Sequence, residues 1–348
     1  MAKRKRLCIV SSDDPVEEQH LNETEGREST QTQADAINSE GGHHSNPESS
    51  VHDASNNEEN VEQVSVTRKK PRGPTQKFET WNMKSGQKIR VTFNKDGKPV
   101  GDEGNELVQY LGTLVRMAEH VSIEYPDWRK VPPQNKEDMY TLVKAKFIIH
   151  PAETSGIKKW IMQNMGKKWR TWKGNLKARG FDKSLDIDQI VNEATKDNRV
   201  NPEQIKKLAT SWFTPEHQNM CEVRKGSRSM MHEPHVTGTK SFARLAHEEA
   251  LKNNGKYPTR GEIYIKSHTR KDGTIVDDKA AEVVASLQAL PRDSTNGQES
   301  DYSNDDYSKV KGPEKRGYNR CVGRMPAVKE SRFASSSNSS STDSDDVQ

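Results

Sequence analysis

Through the middle of this chain apolar residues recur at steps of three and four, and they alternate clearly only once. Between Gly86 and Gly101, Ile89, Val91 and Phe93 alternate with Lys88, Arg90 and Thr92 ahead of Asn94-Lys95-Asp96-Gly97, which predicts a β-hairpin. Over 105–121 the positions Leu107, Val108, Leu111, Leu114, Val115 and Ala118 predict an amphipathic helix, and Met139, Leu142, Val143, Phe147 and Ile148 predict another over 136–149, stopped by Pro151. Further helices are expected at 157–180, 186–194, 202–213, 215–231, 241–253 and 277–290. The stretch 260–278, with Ile263 and Ile265 alternating before a Lys271-Asp272-Gly273 turn, fits strand or helix equally.

The segment from Ile157 to Gly180 changes the picture from fold to function. Ile157, Ile161, Met165, Trp169, Trp172 and Leu176 fall on one side at 100° per residue, while Lys159, Arg170, Lys173 and Lys177 fall on the other. The segment holds eight basic residues, no acidic one, and three of the six tryptophans. A solvated helix face ordinarily mixes both signs of charge, and an unneutralised positive one suits a polyphosphate. Lys159, Lys167, Lys168, Arg170, Lys173, Lys177 and Arg179 are therefore the candidate DNA-binding residues. The tryptophans, Trp128 and Trp212 included, could stack on bases, but their register with the aliphatic positions favours a place in the core. Gly166 and Gly174 weaken the helix by about 1 kcal/mol each relative to Ala, so one helix or two meeting at Gly166 are both open.

Charge is distributed unevenly. Residues 11–65 contain 14 acidic residues and one basic residue, Arg27, whereas 66–290 contain 41 Lys plus Arg against 27 Asp plus Glu. The expected architecture is mainly α with a short N-terminal β-hairpin, a compact helical DNA-binding-like core over 72–290, a disordered acidic region over 1–71, and a disordered Ser/Asp-rich tail over 291–348. Two basic clusters in the polar N-terminal region, Lys3, Arg4, Lys5 and Arg6 and then Arg68, Lys69, Lys70 and Arg72, have the form of nuclear-import signals, so the expected location is the nucleus. Cys8, Cys221 and Cys321 are too few for a disulfide framework, and no run is long enough for a membrane span.

The chain carries few residues arranged for site chemistry. His217, Cys221, His232 and His235 have ligand-type side chains, but no Cys-x2-Cys pair accompanies them, and Arg224, Lys225 and Arg228 would crowd a cation with positive charge, so no metal is expected. Nucleophile–base pairs and phosphate-cradling glycine loops are not evident, and no cofactor or small-molecule substrate is implied. Asp127, Asp182, Asp186 and Asp188 are possible carboxylates for a metal-dependent recombinase, but they sit in loops or helix-start positions, and Asp186 and Asp188 read more simply as helix-start residues.

Several phrases, in order, resemble the plant transposase family Ptta/En/Spm of CACTA-type elements. They are RGPTQKFETWNMKSGQKIRVTFNKDGKPVG, SIEYPDWRKVP, KFII, KKWRTWKGNLK, GTKSFARLAHEEALKNNGKYPTRGEIYIKSHTRKDG and VDDKAAEVVASLQ, and they run from about Arg72 to Leu290. The resemblance implies a nuclear protein derived from a mobile element, with DNA as partner and strand cleavage left to a separate product. The alternatives are an active recombinase, or a domesticated regulator that meets other nuclear proteins through its acidic N-terminal region.

Overall fold

The computed structural model describes residues 7–11, 75–230, 232–290, 302, 304–314 and 318–324. Helices dominate, and a small sheet near the N-terminus supports the first of them. The sheet has the order β1 (Ile9–Ser11), β2 (Gln87–Thr92), β3 (Phe147–His150), with β2 antiparallel to β1 and parallel to β3. Of the expected hairpin the turn forms: the Asn94 amide donates to the Lys98 carbonyl at 2.9 Å, and Gly97 donates back to Asn94 at 2.9 Å. Its return arm is a single bridge, Phe93 to Pro99, because Pro99 has no amide hydrogen for a ladder and the chain enters a helix at Gly101. β2 is instead held by distant partners. Phe147 and Ile148, which helical periodicity assigns to the end of a helix, are drawn into β3 opposite Ile89 and Arg90.

The helices follow as α1 (Phe78–Trp81), α2 (Gly101–Leu114), α3 (Pro133–Lys146), α4 (Ser155–Gly180), α5 (Ile187–Ala194) and α6 (Pro202–Trp212), then α7 (Pro215–Ser229), α8 (Phe242–Lys252), α9 (Arg260–His268), α10 (Asp278–Ala289) and α11 (Asp306–Lys311). Polar residues mark many of their starts. Thr154, Asn201, Thr214, Ser241 and Asp277 each accept an amide hydrogen of the first turn, and Asp186 with Gln189 and Thr259 with Glu262 make reciprocal capping boxes. The Thr259 box explains why 260–268 is helix rather than strand: it satisfies the orphan amides at the start, and Ile263 and Tyr264 are buried.

α4 is a single helix of 26 residues, about 39 Å long. Gly166 lies within it because the Trp128 ring packs there: a Cβ on Gly166 would lie 2.6 Å from Trp128 Cδ1. The helix joins two cores. Its first half buries Ile157, Ile161, Met165 and Trp169 with Ile89, Val91, Leu107, Leu111, Tyr110 and Val143. Its second half buries Trp172 and Leu176 with Ile190, Ile205, Leu208 and Trp212 from α5 and α6. The tryptophans thus form the interior, with Trp169, Trp172 and Trp212 buried and Trp128 and Trp160 half-buried.

A third cluster sits under α9, where Tyr264, Val283, Val284 and Tyr307 pack together. Tyr307 lies on α11, beyond the expected domain end at 290, and a two-stranded ribbon, β4 (Tyr318–Asn319) with β5 (Gly323–Arg324), follows it. The anchor is Arg260, whose side chain is only 2% exposed. It donates to Asp305 at 2.5 and 2.8 Å, to Ser308 Oγ at 2.6 Å and to the Tyr302 carbonyl at 3.0 Å, and also pairs with Glu314. Composition could not reveal this, because a polar segment is read as solvated unless a buried counter-charge elsewhere is known to need it. Similarly, Ile9–Ser11 lies in the region expected to be disordered and pairs with β2.

Candidate nucleic-acid interface

Eight cations project from α4 and the structure separates them by environment. Lys159, Lys167 and Arg170 are exposed along the side opposite the core, forming a ridge. Only Lys158, 2.8 Å from Glu137, and Arg179, 3.8 Å from Asp197, reach a carboxylate among the described residues. The ridge is thus as free of counter-charge in three dimensions as in one.

Lys173 and Lys177, expected on the same face, are half-buried and fold over aromatic rings. The Lys173 amine donates to the Tyr125 carbonyl at 2.5 Å and stands 4.4 Å from the centre of the Trp169 ring. Burial lowers its pKa to about 8, against a smaller opposing pull from Asp127. Lys177 lies 4.7 Å from the Phe181 ring centre, and its amine meets Cys221 Sγ at 3.4 Å. Helical periodicity placed both lysines correctly about the helix axis. What it could not show is that the 122–128 loop and α7 close over that part of the face.

Lys168 and Arg179 point to another side of α4, where they meet two arginines from outside the basic segment. Arg116 just after α2, Arg179 and Arg199 place their guanidinium carbons 5.7, 5.4 and 5.2 Å from the Trp172 ring centre. No local pattern marks Arg116 or Arg199, since each lies in a connection outside the helices. α7 adds Arg224 and Arg228, both exposed, and its His217 pKa is lowered by burial and by Lys177, Arg224 and Lys173. The positive field therefore extends from α4 onto α7.

The other candidates have local roles. Asp127 caps the short 3-10 turn Trp128–Lys130 and binds Arg129 through both oxygens, at 3.2 and 3.1 Å, which holds its carboxyl below the usual range. Asp182 accepts from Ser184, Asp186 caps α5, and Asp188 pairs with Lys206 at 3.3 Å. His217 and Cys221 lie on α7, His235 packs edge-on to Phe242, and among the described residues no three His, Cys, Asp or Glu side chains converge as a metal set. No helix among them is long and apolar enough to cross a membrane. The import-type clusters Lys3, Arg4, Lys5, Arg6, Arg68, Lys69, Lys70 and Arg72 lie outside the described residues.

Fold and surface together define a mostly helical protein with one acid-free cationic helix. Residues 201–329 match the family model of the plant transposases (Ptta/En/Spm family), so this segment of the chain is similar to that family. The match runs from the cap of α6 past β5 and takes in α11 and the Arg260 anchor. It contains the phrase from Gly238 to Gly273, while α4 and the phrases before it precede the matched segment. No curated protein and no solved structure matches the chain.

Proposed function

We propose that this is a nuclear DNA-binding protein of a CACTA-type element, which holds the phosphodiester backbone through α4 and does not itself cut strands. The observation that carries the reading is the ridge of Lys159, Lys167 and Arg170, exposed on one helix with no carboxylate partner among the described residues. Such a ridge releases condensed counterions when it meets a duplex, and this supplies affinity without sequence choice. The similarity of 201–329 to the plant transposases makes DNA the natural polyanion. The local engagements of Asp127, Asp182, Asp186 and Asp188 support a binding role over catalysis. Its acidic N-terminal region is free in this reading to meet other nuclear proteins.

The test is duplex binding by the full chain over a range of salt. Replacing Lys159, Lys167 and Arg170 with Ala should flatten the log–log dependence of affinity on salt by about 0.9 per lost contact. An unchanged slope, or no duplex binding by the unaltered protein at low ionic strength, refutes the proposal. Mg²⁺-dependent nicking of labelled duplex that vanishes in Asp127→Asn or Asp186→Asn would establish the recombinase instead.

A further inference from the structure

Four cations gather on the flank of α4, and one carboxylate and one indole ring account for only part of that gathering. Lys168 Nζ and a terminal nitrogen of Arg116 each lie 3.8 Å from the point that a Cβ on Gly112 would occupy, so the two charges share the space above a glycine of α2. Arg116, Arg179 and Arg199 gather around the Trp172 ring. One carboxylate serves the group: Asp197 binds Arg199 through both oxygens at 2.7 and 2.5 Å and reaches Arg179 at 3.8 Å. Neither Arg116 nor Lys168 reaches a carboxylate among the described residues, and both are half-buried.

Collecting like charges away from water opposes folding unless something of opposite sign completes the site. The repulsion registers on the groups themselves. Burial first, then the charges of Arg116 and Lys167, lower the Lys168 pKa to about 8; burial first, then Arg199 and Arg179, lower that of Arg116 against the opposing pull of Asp197. Trp172 is only 6% exposed, so the site offers N–H donors and charge but no ring on which a base could stack. That chemistry selects the phosphate of a strand rather than its bases.

We propose that Arg116, Lys168, Arg179 and Arg199 form a pocket that takes one backbone phosphate of a nucleic-acid strand. The pocket rests on the DNA-binding reading and adds to it a contact point separate from the exposed ridge.

Two measurements on the full chain test it separately from that reading. In the first, thermal unfolding is followed in inorganic phosphate and in chloride at matched ionic strength. Phosphate at tenfold over its dissociation constant should raise the midpoint by roughly 3–5 °C, and the rise should shrink at least threefold in the double variant Arg116→Gln, Lys168→Gln. Because the variant relieves repulsion, its midpoint in chloride should equal or exceed that of the unaltered protein. Arg179→Gln, at an exposed site, serves if the double variant fails to fold. Equal phosphate shifts in unaltered and variant protein overturn the pocket. A larger shift with a phosphoserine peptide than with a short oligonucleotide overturns the nucleic-acid assignment.

The second measurement is duplex binding against salt, where the double variant should lose up to about 0.9 of slope for the missing contact. Duplex binding with an unchanged slope sinks the pocket and leaves the ridge standing. A phosphate shift with no duplex binding at all sinks the DNA-binding reading and, with it, the occupant named here.

Discussion

Replacing the two interior glycines of α4 with alanine should stabilise the protein at one of them and not at the other. Each glycine costs a helix about 1 kcal/mol relative to Ala, so propensity alone predicts the same gain at both. At Gly174 an added Cβ meets nothing within 4 Å, and Gly174→Ala should recover that gain of about 1 kcal/mol. At Gly166 the Cβ would lie 2.6, 2.7 and 2.9 Å from Trp128 Cδ1, Cγ and Nε1. The indole cannot simply swing away: it lies 5.8 Å from the buried Trp169 ring and under the Lys136 amine at 5.5 Å. Overpacking of this kind costs about 1–3 kcal/mol, so Gly166→Ala should be neutral to about 2 kcal/mol less stable despite better propensity. Urea denaturation followed by tryptophan fluorescence should show the two midpoints displaced to opposite sides of the unaltered protein, or Gly166→Ala unmoved, with little change in slope. In a Trp128→Ala background the clash disappears and Gly166→Ala should become favourable, a coupling that a double-mutant cycle reads directly. Equal stabilisation by both single substitutions would refute the packing argument.

Arg260→Gln should destabilise the protein by about 3–5 kcal/mol, because it strands Asp305 and Glu314 near the third core without their counter-charge. Limited proteolysis should then cut within 302–324 well before it cuts α4; equal protection in both proteins would contradict the anchor. Stability should also respond to alkaline pH through Lys168 and Lys173. Their folded-state pKa values of about 8 lie below the ordinary lysine value of 10.5, so between those pH values the unfolded chain binds more protons and their contribution favours folding as pH rises. Cys321, raised to about 12 chiefly by burial, works in the opposite sense above its usual range, so the comparison must be with Lys168→Gln. The unaltered protein should gain more stability between pH 8 and 10 than the variant does, and a smaller gain contradicts the buried-lysine account.

Much of the fold was legible as periodicity. The apolar stripe Ile157, Ile161, Met165, Trp169, Trp172 and Leu176 is buried along α4 as its spacing requires, and the capping residues Asp186 and Ser241 begin helices where expected. Periodicity failed at Phe147 and Ile148, where pairing with β2 outweighs helical spacing. It was also silent on α11, whose place depends on a single arginine more than forty residues upstream. The candidate interface was legible in part. Lys159, Lys167 and Arg170 stand in water, but the sequence marked Lys173 and Lys177 equally, and it passed over Arg116 and Arg199.

By itself the sequence determined which residues share a helix face and where an acid-free run of charge lies, since both depend on neighbours within a turn or two. Only the tertiary structure decided which of those charges meet solvent, which fold over Trp169 and Phe181, and which are gathered around Trp172. The reason is physical. Desolvation and charge pairing depend on what is packed nearby in space, and the groups that cover these lysines and join these arginines come from α2, α7 and the loops before α3 and α6, far along the chain.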